Sequence, residues 1–373
     1  MGTISSEADF ARLSGSWDGL VRAMPRPSPF LLHAWLLEWW RHYGDGGELA
    51  VHVAWRQDRL VGALPLYTRR AFGLGVTQFV GGTWALLGDV LLAPDESTGT
   101  AAALMERAAS SDHDCASVFG LPGSSRLVAA LPPGALRLVE RLEAPVMDLD
   151  AGWDEVYRSK VPPKARSERR RRLRKLGELG PVDVSVARTR EELAPALEEA
   201  FRVHGLRWQG HRDASGFITP TGLRFHRAAL LALAELDVPR LTVVRSGGRA
   251  IAFALSLQLE GRTYGVTMGF DPAYSGFGPG MEAKLSSLEA AAAEGVWRVE
   301  LLGAAAPHKR RLTDRFEPIY QGIGLARTLR GRAAVEALVG AIRVRRWLKG
   351  SPTARRVYDR MPSLAGSARF HGP

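Results

Sequence analysis

GFDPAYSGFGPGMEAKLSSLEAAAAEG, residues 269–295, is the stretch whose reading decides the fold. An alternating segment ends at Phe270, a loop holding Gly276, Gly278 and Gly280 follows, and the loop feeds directly into an alanine-rich amphipathic helix. Small residues let the backbone come close to a ligand, and the N–H groups at a helix start attract phosphate oxygens. Strand, glycine loop and helix therefore form a candidate pyrophosphate cradle. No Gly-Lys-Ser/Thr follows, so this is not a Walker loop. The preceding strands form a meander and not a βαβ unit, so it is not a dinucleotide fingerprint either. A plain turn with a helix cap shows the same pattern, and that reading stays open here.

Working outward, the meander consists of Leu241–Arg245, Ile251–Gln258 and Thr263–Phe270, with turns at Ser246-Gly247-Gly248 and Glu260-Gly261. Helices are expected over 164–178, 190–207, 220–236 and 280–294, with strands at Val182–Val186 and Trp297–Leu302. The first part of the chain repeats this order. A Trp-rich helix over 28–43 precedes strands Leu49–Trp55, Leu60–Tyr67 and Val76–Val80, then a helix over 97–109 and strands near 116–119 and 136–149. Helix, antiparallel strands, helix, strand, given twice, suggests an old duplication. Pro162-Pro163 and the sharply basic segment behind them mark a seam. The expected division is residues 1–155, residues 156–330, and a basic helical tail over 331–373.

The chain has 373 residues, 46% of them hydrophobic, enough for two ordinary cores. Its one cysteine, Cys115, excludes an intrachain disulfide and a Cys-based zinc cluster, and suits a reducing compartment. His33 and His42, and His204 and His211, lack acidic partners at ligand spacing, so no metal site is expected. The start carries Glu7 and Asp9 with no Lys or Arg up to Phe10, unlike a secretory signal, and no apolar run suits a membrane span. A cytoplasmic location is expected. The net charge of +11 favours anionic ligands such as CoA, a phosphorylated acceptor or nucleic acid, without choosing among them.

Taken together, SPFLLHAWLLEWWRHYG, the Pro65-Leu66-Tyr67 and Arg69-Arg70 pairings, RSERRRRLRKLGELGPVDVSV, Arg207-Trp208, GFDPAYSGFGPG and His308-Lys309 resemble, in this order, the CelD/BcsL-type acetyltransferases. These are relatives of the FemAB aminoacyltransferases within the GNAT superfamily, and the similarity runs from about residue 28 to 325. The resemblance implies an α/β chain with a tandem GNAT-like fold, two mixed and largely antiparallel sheets flanked by helices. It implies an acyltransferase with acetyl-CoA (acyl-CoA) as co-substrate, no bound cofactor, and the donor site in the C-terminal half. The acceptor expected is an amine or hydroxyl of a sugar, an exopolysaccharide or other glycan precursor, or a small metabolite. The chain departs from the family pattern at Ala304-Ala305-Ala306, where acidic residues are usual, and at His308, where Tyr is usual.

The donor-binding candidates are Met268, Ser275, Gly276, Phe277, Gly278 and Gly280. Catalytic candidates are Lys309, to stabilise charge, with Glu300 and His308 as proton acceptors. His204, Arg207 and Trp208, at i, i+3 and i+4 of one helix, together with Asp271 and Tyr274, are acceptor-binding candidates. Each has a plainer reading: Trp208 as core, Glu300 as an exposed strand carboxylate, Lys309 as a solvated lysine. In the N-terminal half the equivalent helix follows Asp95-Glu96 with no glycine loop, so that half is expected to lack a CoA site and to shape the acceptor side. The run Lys164, Arg166, Arg169–Arg172, Arg174, Lys175 reads as a docked helix whose face meets an anionic ligand. An aminoacyl-tRNA donor, or a non-catalytic scaffold for an anionic polymer, are the rival readings.

Overall fold

The computed structural model describes residues 1–71, 73–209, 216–303 and 306–350. The strands are β1 (Gly2–Ile4), β2 (Gly47–Arg56), β3 (Arg59–Ala71), β4 (Leu74–Phe79), β5 (Leu91–Leu92), β6 (Cys115–Pro122), β7 (Leu136–Asp148), β8 (Val182–Ala187), β9 (Pro239–Ser246), β10 (Arg249–Leu259), β11 (Arg262–Phe270), β12 (Arg298–Glu300) and β13 (Arg315–Gly324). They pack into two compact units. One holds Met1–Leu20, Gly44–Arg141 and the described chain from Ile319 onward; the other holds Val21–Tyr43 and Leu142–Pro318.

In the second unit the strand order is β7, β12, β11, β10, β9, β8. Strands β8 to β11 are mutually antiparallel. Strand β12, reached through helix Pro279–Ala293, runs parallel to β11 and antiparallel to β7. In the first unit β1 to β4 are antiparallel, helix Thr98–Ala109 follows, and β6 runs parallel to β4 and antiparallel to β13. The two units thus share one pairing scheme: four antiparallel strands, a helix, then a parallel fifth strand with an antiparallel neighbour. The mixed α/β class is the one expected from the sequence, with one large mixed sheet flanked by helices where two sheets were expected.

Local chemistry explains the meander. The β9–β10 turn uses Gly247 and Gly248, at φ 56° and 78°, and the β10–β11 turn uses Glu260 and Gly261, at φ 48° and 70°. Two successive positive φ values are what a tight hairpin needs to match strand twist. At Gly261 side-chain space also forbids substitution, because a β-carbon there would lie 2.6 Å from the Trp297 ring.

The Trp-rich segment is shorter as a helix than its periodicity suggests. Pro29–Leu31 forms a 3-10 turn, Leu32 is extended at ψ 141°, and the α-helix spans His33–Tyr43. Trp35 is fully buried, edge-on to Phe30 at 5.5 Å and to Phe225 at 5.0 Å, which docks this helix on helix Pro220–Ala234. Residues early in the chain therefore belong to the later unit, which no linear cut of the sequence can express. Strand β13 was not anticipated: RFEPIYQGIG contains Pro318, Gly322 and Gly324, residues that argue against a strand until partners exist. The basic tail is a helix over Leu329–Gly350 whose Val335 and Val339 pack with Val76, Ile323 and the buried Cys115. Residues 351–373 and His211 lie outside the described residues.

Trp35→Ala is expected to cost about 3–5 kcal/mol through lost transfer and a residual cavity, read as a lowered urea midpoint.

Candidate functional site

The second unit contains a fork. Strands β11 and β12 pair over three positions only, Arg262↔Arg298, Thr263↔Val299 and Tyr264↔Glu300. Beyond them β11 continues to Phe270 on the arm of β10 alone, and its register shifts so that Leu255 pairs with Thr267 and Ser256 with Gly265. Val266 is thus the extra residue of a bulge, a device that re-aims backbone groups next to functional sites. On the other prong, Leu302 at φ 45° and Gly303 at φ 59° turn the chain away. A buried leucine in the left-handed region is strained and persists only where its surroundings hold it. Here Lys309 Nζ donates to the Leu302 carbonyl.

The matching place in the first unit is filled. Strands β4 and β6 pair at Val76↔Cys115 and Thr77↔Ala116, and residues 85–88 then lie against β6. Gly88 N–H donates to Gly120 O at 3.0 Å, and a β-carbon on Gly120 would meet Ala85 O at 2.7 Å. The carboxylates before helix Thr98–Ala109 distinguish the units less than expected, because Asp95 pairs with Arg59 and Glu96 with Arg56.

Facing the fork is the helix Pro279–Ala293, preceded by a 3-10 turn over Pro272–Phe277. Gly278, at φ 69°, is both the end of that turn and the N-cap of the helix. A β-carbon on Gly280 would strike the Phe270 ring at 2.9 Å, so that glycine is required by packing. Ser275 and Gly276 are exposed, while Met268, Tyr274 and Phe277 pack on the cluster of Leu176, Val244 and Ile251. The N–H groups of Met281 and Glu282 both return to Gly278 O. The positive end of this helix is therefore reinforced by side chains more than by those two amides.

The side chains come from the Arg-rich helix Pro163–Gly177. Arg169 grips Glu282 with two bonds of 2.7 Å, which raises the pKa of the guanidinium and offsets the acid in the first turn of helix Pro279–Ala293. Arg172 lies 3.3 Å from where a Gly278 β-carbon would stand, and bonds Glu168 at 2.9 Å. The basic run is thus a docked helix bordering the loop at Gly278.

Two lysines flank the fork. Lys309, on the short helix Pro307–Arg310, has its pKa lowered by burial to about 8. Lys284 was not singled out from the sequence. It occupies the buried face of helix Pro279–Ala293, four residues from both Gly280 and Leu288, and only 8% of it is exposed. A β-carbon on Gly265 would lie 3.7 Å from its Nζ, 3.5 Å from Leu301 O and 3.8 Å from Glu300 O. Burial, with the charge of Lys309 second, lowers its pKa to about 7. The available signal was a lysine on an otherwise apolar i, i+4 stripe.

Glu300 is not an exposed strand carboxylate. It is completely buried, with Arg26 at 2.6 Å, Arg262 at 3.2 Å and Arg298 at 3.5 Å. Arg26 also reaches Glu317 at 2.9 Å, and Arg298 reaches Asp148 at 2.9 Å. Beside them the buried Tyr264 hydroxyl donates to Pro27 O, and burial next to Glu300 pushes the phenol well above its usual range. A carboxylate enclosed by three guanidiniums is a structural hub, held by ion pairs on several sides.

Of the acceptor candidates, His204 and Asp271 are buried, Trp208 and Tyr274 are half-buried and Arg207 is exposed. His204 is buried and stacks on Trp208 with ring centroids 5.8 Å apart, and burial lowers its pKa to about 4, so it is a neutral core imidazole. Arg207 lies over the Phe270 ring at 4.6 Å. Asp271 is buried, caps the 3-10 turn through Ala273 N–H at 3.0 Å and faces Arg249 at 3.3 Å. Ala304, Ala305 and the side chain of His308 lie outside the described residues. Among the described residues no cluster of three His, Cys, Asp or Glu could hold a metal, and no helix is long and apolar enough to cross a membrane.

Glu300→Gln is expected to cost about 3–5 kcal/mol by leaving buried guanidiniums uncompensated, seen as a lowered denaturation midpoint. Lys284 works in the opposite direction. Its folded pKa is below the unfolded value, so the unfolded chain binds the extra proton between about pH 7 and 10.5. Stability thus rises with pH across that window, and the penalty is complete below it. Lys284→Met should stabilise the fold by a few kcal/mol at or below pH 7, with the gain vanishing above about pH 10.5; melting temperatures across pH test this.

Residues 163–310 match the sequence model of the acetyltransferase (GNAT) domain. No curated protein matches the chain. Among solved structures, FemX is similar with a TM-score of 0.59 at 12% identity, over 86% of this chain and 97% of that one. The C-terminal domain (DUF2156) of a putative lysylphosphatidylglycerol synthetase from Agrobacterium fabrum gives 0.55 at 15%, over 90% and 96%. L-PGS from Bacillus licheniformis gives 0.52 at 14%, over 80% and 94%. These likenesses concern the fold. The segment similar to that domain runs from the start of the Arg-rich helix to the end of the Lys309 helix and includes the whole fork.

Proposed function

We propose that the chain transfers an acetyl or other acyl group from acyl-CoA to an amine or hydroxyl of a sugar, glycan precursor or small metabolite, by direct attack on the thioester. The observation that carries this reading is the fork: β11 leaves β12 after Tyr264 and presents unpaired backbone where the donor helix begins. A thioester lying along β11 beyond Gly265 would find backbone N–H groups near the bulge at Val266 for its developing oxyanion. The pyrophosphate would rest against the donor helix start, with Arg172 beside Gly278. Lys309, by holding the Leu302 carbonyl, keeps the prongs apart and acts here as a positioning residue.

A second reading, an aminoacyl-tRNA donor, is favoured by the exposed Arg170, Arg171, Arg174 and Lys175 on the helix that borders the same loop. The two donors separate in one experiment. Calorimetry with acetyl-CoA and CoA is expected to give micromolar binding for the wild type. Gly278→Asp or Arg172→Glu should weaken it tenfold or more by placing negative charge at the pyrophosphate position. Absence of binding to both ligands overturns the acyl-CoA reading and favours the tRNA donor.

A further inference from the structure

We infer that the amine of Lys284 takes the acceptor's proton during acyl transfer, acting as the general base of this site. The inference rests on the acyl-CoA reading above. Attack by an amine or hydroxyl requires a base within reach of the thioester, and Glu300 is engaged by Arg26, Arg262 and Arg298. Lys284 stands at the point where the strands part. The missing side chain of Gly265 leaves the space beside Nζ open, with Leu301 O and Glu300 O bordering the same gap. Among the described residues no acceptor hydrogen-bonds this amine, unlike Lys309, whose Nζ is committed to Leu302 O.

The charges around it are accounted for. Lys309 is the cation that faces it. From its own helix Glu282 is turned to Arg169, and from β9 Arg240 and Arg245 are turned to Glu294 and Glu199. Strand β11 offers no charged residue from Gly265 to Phe270. With burial and Lys309 bringing its pKa to about 7, half of the amine is neutral near pH 7, where a general base is most effective.

The step balances. The acceptor lone pair forms the new C–N or C–O bond, the C–S bond breaks, and its electron pair leaves on the CoA sulfur. The acceptor proton moves to Lys284 Nζ and then to the thiolate, giving free CoA thiol and restoring the neutral amine.

The test follows thiol release from acetyl-CoA between pH 5.5 and 9.5, with water and ethanolamine as surrogate acceptors, in the wild type, Lys284→Met and Lys284→Arg. Acetyl-CoA affinity is measured in parallel by calorimetry. Wild-type rate should rise with pH through about 7 and level off. Both variants should lose about 10²-fold in rate and lose that rise, with acetyl-CoA affinity changed less than threefold. Arginine keeps the charge but cannot act as a base, so its failure separates proton transfer from electrostatics. Retained rate or an unchanged pH profile in either variant overturns the inference, as does a wild type that binds acetyl-CoA yet releases no thiol above the buffer rate. Titration of ε-carbon-labelled lysine by NMR gives an independent check: a Lys284 resonance titrating near 10.5 overturns it. Failure of the wild type to bind acetyl-CoA instead sinks the donor reading.

Discussion

The parting of β11 and β12 is the constraint on which the rest of the second unit depends. Parallel strands in a sheet normally satisfy each other's backbone along their length. Here the ladder stops after three positions because Leu302 and Gly303 both take left-handed φ values, and Lys309 fixes the carbonyl that results. The exposed prong of β11, the bulge at Val266, the close approach of Gly280 to Phe270 and the position of Lys284 all follow from that geometry. The first unit has the same pairing scheme but closes its fork with residues 85–88, so one scheme yields an open fork in one copy and a filled one in the other.

Electrostatics around the fork sort into two sets with different physical tasks. Glu300, Arg26, Arg262, Arg298, Glu317 and Asp148 form a buried network that ties residues 26 and 27 to the β11–β12 ladder. Networks of this kind gain little net stability but are costly to break, because each guanidinium depends on its partners once water is excluded. The second set is outward: Arg169 and Arg172 line the start of helix Pro279–Ala293, where the helix dipole already favours an anion. Between the two sets lie Lys284 and Lys309, cations without a carboxylate partner among the described residues, whose charges are weakened by burial and, for Lys284, also by Lys309.

Much of the architecture was legible. The glycine loop before the 280s helix, the meander and the Arg-rich helix all appear where periodicity and turn residues put them, since local rules and tertiary packing agree there. Individual roles were legible only where a residue's neighbours are sequence-local. The place of Gly278 and Gly280 at the start of a helix was legible because a loop-to-helix transition is a short-range event. Glu300 could not, because Arg26 and Arg262 approach it from 274 and 38 residues away. Arg207 and His204 looked like a ligand-facing triplet with Trp208, yet an imidazole surrounded by Phe217, Phe253 and Trp208 is core.

The sequence by itself determined the class of fold, the two-fold repetition of its element order, the basic character of the donor side and the strand–glycine–helix motif, because these rest on composition, period and backbone preference. Only the tertiary structure decided which repeat keeps an open fork, that Val21–Tyr43 belongs with the later unit, and that Glu300 is buried among arginines while Lys284 borders the gap at Gly265. The physical reason is the same in each case. Burial and pairing across long sequence separations set the charge state and availability of a group, and neither quantity is encoded in the residues next to it.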